Sequence, residues 1–135
     1  MNLKSNETCL IMTDSKLKSI GNALYKNALK ITKKSSLILI PIPETHGTEP
    51  DCNVAKEMLK YDVILMPTTK SLSHTKAREN ASKKGIRIAS MPGITIEIMK
   101  RALNISFNKI KTINKKLIKK LKNKNKIKIT TKKGT

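Results

Sequence analysis

Two stretches of this sequence collect side chains able to bind or react. The first is Glu44-Thr45-His46-Gly47-Thr48-Glu49-Pro50-Asp51-Cys52, which gathers carboxylates, an imidazole and a thiol. Glu44, His46, Glu49, Asp51 and Cys52 are all metal-ligand types. Their spacing matches no helical or knuckle site, and hard carboxylates stand beside a soft thiolate. The reading that spacing favours is an acidic, solvated loop with Asp51 capping the next helix. The second stretch is Thr68-Thr69-Lys70-Ser71-Leu72-Ser73-His74-Thr75-Lys76-Ala77-Arg78. Hydroxyls at a helix amino terminus, with Lys70, His74 and Arg78 nearby, form a cradle for an anion or carboxylate. His74 and Arg78 are four apart and share one face of a helix there. Ser73, His74 and Arg78 are therefore the candidate substrate- or anion-binding residues. The competing reading is local capping by Ser71 or Ser73, with His74 structural. Ser73-His74 is no catalytic dyad, because sequence neighbours on a helix point apart and no third group orients them. No catalytic residue and no metal ligand is assigned.

These segments need elements to hold them, and the apolar pattern supplies them. Thr8 to Thr13, Leu37 to Ile42, Asp62 to Pro67 and Ile86 to Met91 are short β-rich runs. Runs without alternation suit strands covered on both faces, as in a parallel sheet. Between them lie helical stretches. Leu17, Ile20, Leu24, Ala28 and Ile31 draw one stripe, with Asp14 or Ser15 as cap. Val54, Met58 and Leu59 mark a short second helix. Ser71 to Lys84 reads as a third, ended by Gly85. Thr95 caps a fourth, and Ser106 to Lys122 reads as a fifth with the stripe Ile110, Ile113, Leu117 and Leu121. Lys126 to Thr130 alternates with period two, as a half-exposed strand does. Strand and helix repeated four times predict an open, mostly parallel, doubly wound α/β sheet of four to five strands, with helices on both faces. The predicted domain covers residues 1–123, with 124–135 a strand leading toward a second domain.

Composition narrows the function classes. The chain has 135 residues and a formal net charge of +20, from 29 Lys+Arg against 9 Asp+Glu. Only Arg78, Arg87 and Arg101 are arginines, and groove readers depend on the planar guanidinium fork. Joint excess of Lys, Ile and Asn is what an AT-rich coding sequence produces, so codon usage is the expected main source of the charge. No acid follows Glu97, and the basic helix at 106–122 is expected to dock by its narrow stripe with its lysines solvated. Nucleic acid is a disfavoured partner. No apolar run is long enough for a membrane-spanning helix. The first residues lack a signal-peptide pattern. Cys9 and Cys52 are too few for a disulfide scaffold, which suits a reducing cytoplasm. The five glycines form neither GxGxxG nor a Walker loop, which disfavours dinucleotide and P-loop chemistry.

One resemblance goes further. Pro67 to Arg78, then Gly85-Ile86-Arg87-Ile88-Ala89-Ser90-Met91-Pro92-Gly93-Ile94-Thr95, resembles the amino-terminal domain of the aminopeptidase T family. These are thermophilic metalloaminopeptidases, often labelled leucyl aminopeptidase in archaea. Leu10 to Asp14, His46 to Pro50, Ile127 to Thr131 and Gly134-Thr135 are further echoes. The resemblance implies a cytosolic exopeptidase in which two divalent metals, Zn or Co, activate water and hold the scissile carbonyl. It places the metal ligands beyond residue 135, so none is carried onto this chain. The expected protein is then a fragment or split part, inactive alone, partnered by a separately encoded catalytic half or a second copy. Peptide is its substrate only in a complete enzyme. The other function class is a Lys-rich binding or structural module for nucleic acid or an acidic partner.

Overall fold

The computed structural model describes residues 1–103 and 106–134. Four apolar runs form β1 (Cys9–Asp14), β2 (Ser35–Ile40), β3 (Val63–Met66) and β4 (Arg87–Ser90). They alternate with α1 (Lys18–Leu29), α2 (Cys52–Met58) and α3 (Lys76–Lys83), and α4 (Ile96–Leu103) and α5 (Phe107–Leu121) follow. All strand pairs are parallel, in the order β2-β1-β3-β4. This is the open α/β sheet expected from the sequence, with four strands, all parallel, among the described residues.

The central strand explains why its apolar run does not alternate. Every residue of β1 is buried. Leu10 and Met12 enter one cluster with Met58, Ala77 and Ala81 of the α2 and α3 layer. Cys9 and Ile11 enter the opposite cluster with Ala28 of α1. Both faces of the sheet are thus covered, and each large side chain so buried contributes roughly 1.5–3 kcal/mol. The α1 stripe is shorter than its sequence period: Ile20 and Ala28 are buried, whereas Ile31 lies past the helix end and is exposed. β2 stops at Ile40, before Pro41, because proline has no N–H for the ladder.

Helix starts depart from the sequence pattern where hydroxyl and carboxylate side chains intervene. α1 begins at Lys18, because the Asp14 side chain first closes a turn on the amides of Lys16 and Leu17. α3 begins at Lys76, five residues later than the Ser71 expected. The Thr75 amide and hydroxyl both donate to the Leu72 carbonyl, and Leu72 is buried. That local turn replaces the first helical turn, as Ser and Thr side chains often arrange. Asp51 caps α2 as expected, accepting from the Asn53 amide at 2.8 Å. Gly85, with φ of +86°, ends α3 in the left-handed conformation that glycine tolerates best.

The chain divides into two compact units, Met1–Ile98 and Met99–Thr135. The division falls earlier than the expected boundary near residue 123, because the sheet and its three crossover helices are complete before Met99. In the second unit, residues 126–130 are not a strand. Among the described residues no neighbouring strand pairs with them, and an alternating segment without a partner leaves its amides to solvent. Thr131 and Gly134 instead exchange amide-to-carbonyl bonds across a tight turn. Among the described residues, no helix is long and apolar enough to cross a membrane.

Candidate functional site

In an open α/β sheet the crevice for ligands lies at the carboxyl ends of the strands, where successive crossovers diverge. Here that point is between β1 and β3. Asp14, the last residue of β1, is fully buried there. Its Oδ1 accepts from the amides of Lys16 and Leu17 and from the Thr69 hydroxyl, at 3.1, 3.2 and 2.9 Å. Its Oδ2 accepts from the Thr69 amide. One carboxylate therefore ties the β1–α1 turn to the β3–α3 loop. Beside it, the Thr13 hydroxyl donates to the Pro67 carbonyl at 2.8 Å. Gly21 lies against the same threonine, where a Cβ would come within 2.6 Å of the Thr13 methyl.

The next tie comes from the loop after β2. The Ser71 amide donates to Nδ1 of His46 at 2.9 Å, and the Gly47 amide donates to the Ser71 carbonyl at 2.8 Å. His46 must therefore carry its ring proton on Nε2 when neutral. Glu49 reaches the amino terminus of α3, where its two oxygens accept from the amides of Lys76 and Ala77. Thr75 accepts from the Arg78 amide at 3.2 Å, completing the cap. The first amides of α3 are thus taken by the chain's own Glu49, and this helix start lies five residues after the one at which the sequence placed an anion cradle. The positive end of the helix dipole holds this carboxylate as it would a bound anion.

The three candidate residues divide. The Ser73 hydroxyl bonds the Ser90 hydroxyl at 2.9 Å, and Arg78 Nε donates to the Ser73 carbonyl at 2.8 Å. Ser73, Arg78 and Ser90 thus form one cluster spanning the ends of β3 and β4. His74 stands outside it, exposed and before the start of α3, so it does not share a helical face with Arg78. Lys70 offers its carbonyl to the Thr68 hydroxyl at 2.6 Å. A cavity of about 240 Å³ opens beside this edge, floored by Ile40, Val54 and Leu72 and rimmed by Glu44, Glu49 and Asp51.

The opposite edge of the sheet has its own charged groove of about 480 Å³. There Arg87 forms a two-pronged pair with Glu7, at 3.1 and 2.7 Å. Its guanidinium holds the Glu7 carboxyl below the usual carboxylate range. The amide and hydroxyl of Thr8 do the same for Asp62. Burial alone pushes the Cys9 thiol up, while Cys52 is exposed.

Sequence reasoning read Asp14 only as a cap and Glu49 only as one of several metal-ligand types in an acidic loop. Asp14 was legible as a cap, and its strand-end position hinted at more. Nothing local to Glu49 announces the helix it caps, which begins 27 residues later. Among the described residues, no three His, Cys, Asp or Glu side chains converge on a point where they could hold a metal ion. No protein-family model, curated protein or solved structure matches the chain.

Proposed function

We propose that this chain is the amino-terminal, non-catalytic α/β domain of an aminopeptidase-like metallopeptidase. The reading starts from the Ser71-to-Thr95 string and is supported chiefly by one observation. The carboxylates at the ligand-binding edge of the sheet are directed at backbone amides, Asp14 at three and Glu49 at two. A carboxylate whose oxygens are engaged in this way is a poor water activator or metal ligand, and a good fastener. In this reading the edge is a stiff platform that helps enclose a peptide bound by another part of the enzyme. The small acid-rimmed cavity beside α2 and the Ser73-Arg78-Ser90 cluster are the places where peptide would touch it.

The test has two arms. Purified chain supplied with Co²⁺ or Zn²⁺ gives no turnover of leucyl-anilide substrates above a metal-only blank. Turnover that survives repurification overturns the proposal. The adjoining coding DNA, in frame or neighbouring, encodes a segment rich in Glu, His and Asp that restores hydrolysis when combined with this chain. A neighbouring region without such a segment counts against the reading.

A further inference from the structure

Among the described residues of its own unit, nothing covers the apolar seam of α5. Ile113, Leu117, Ile118 and Leu121 are 48%, 49%, 66% and 43% exposed. Ile110, Asn114, Leu117 and Leu121 follow one another at steps of four, three and four, the spacing of a helix-pairing seam. Lys109, Lys116 and Lys120 flank it on one side, and Lys111 and Lys115 on the other, with no acid anywhere in the helix. Their stems extend the apolar surface while their ammonium groups stay in water.

We infer that α5 is a docking helix for an acidic amphipathic helix of a protein partner. The partner would lay its own apolar seam along Ile113, Leu117 and Leu121 and set glutamates against the flanking lysines. Three observations choose this occupant. A second copy of α5 would bring lysine against lysine, which is destabilising at helix-pair distances. Asn114 stands inside the seam; a protein helix can answer its amide with a polar side chain and so fix the register, whereas lipid tails cannot. The helix has no arginine and presents aliphatic side chains between its lysines, which suits a phosphate backbone poorly. This inference does not depend on the peptidase reading.

The probe is a synthetic helix with Leu at the seam positions, one Asn among them, and Glu at the flanks. Titrated into the full-length chain and followed by sedimentation and calorimetry, it forms a one-to-one complex. Affinity falls at least tenfold between about 50 and 500 mM salt as the charges are screened. Leu117→Asp abolishes binding while leaving the thermal transition of the sheet unit unchanged. A Lys-flanked version of the peptide does not bind. Equal binding of the two peptides overturns the inference. So does tighter adsorption to phosphatidylserine vesicles or to homopolymeric RNA than to the peptide. Self-association through α5, or amide protection of 110–121 in the free chain equal to that in the complex, overturns it as well.

Discussion

Asp14 shows how one side chain can settle the character of a whole sheet edge. Its burial would be costly without partners, and four donors satisfy it. Replacing it with alanine leaves the half-buried amides of Leu17 and Thr69, and the Lys16 amide beside them, without their carboxylate partner. The expected loss is about 2–4 kcal/mol of unfolding free energy, read from urea titration. His74→Ala, at an exposed position, should change stability by less than about 0.5 kcal/mol. If the two variants unfold alike, Asp14 is not the fastener described. The difference between these residues was only half visible in the sequence. A polar residue ending a strand and preceding a helix reads as a cap, and Asp14 is one. Its second partner, Thr69, lies 55 residues on, and no local period encodes that distance. His74 was a candidate because it stood four residues before Arg78, among hydroxyls at an expected helix start. Its place depended on whether α3 starts before or after it, and the turn at Leu72 and Thr75 decides that.

Among the elements, α3 is built from both ends. Its carboxyl end was plain in Lys83, Lys84 and Gly85; its amino end depends on Glu49 from another loop. Strand and helix order were legible because a buried parallel strand writes a continuous apolar run. The segment at 126–130 misled for the complementary reason: alternation records what a strand needs, but a strand also needs a neighbour. Glu49→Ala should loosen the α3 start alone. Removing the carboxylate costs about 1 kcal/mol there, so exchange of the Lys76 and Ala77 amides should quicken roughly fivefold. The Asn53 amide, capped by Asp51, should exchange at its original rate. Uniform acceleration across α2 and α3 would show that the loop holds the layer together rather than capping one helix.

For the molecule as a whole, pH response follows from how its few acids are used. Glu7, Glu57 and Glu79 are held below the usual carboxylate range by Arg87, Lys60 and Lys83, and Asp62 by Thr8. A carboxylate with a lowered folded-state pKa adds stability that is present above its unfolded value, about 4, and lost as pH falls through the lower folded value. Unfolding midpoints should therefore hold level from pH 7 to about 5 and decline below about 4.5. Protonating all nine acids also leaves the 29 Lys and Arg charges unopposed, which adds self-repulsion. Glu7→Gln should flatten part of the acid limb, and an unchanged slope would remove the Arg87 pair from this account. The close approach of Gly21 to Thr13 carries a different consequence, one for inheritance. Because the Thr13 hydroxyl is anchored to Pro67, its methyl cannot swing aside for a larger residue at 21. Position 21 is thus free to enlarge only after position 13 has taken a smaller residue. Among any descendants that keep this packing of α1 on β1, a branched residue at 13 should always travel with a glycine at 21, and enlargement at 21 before 13 should be missing.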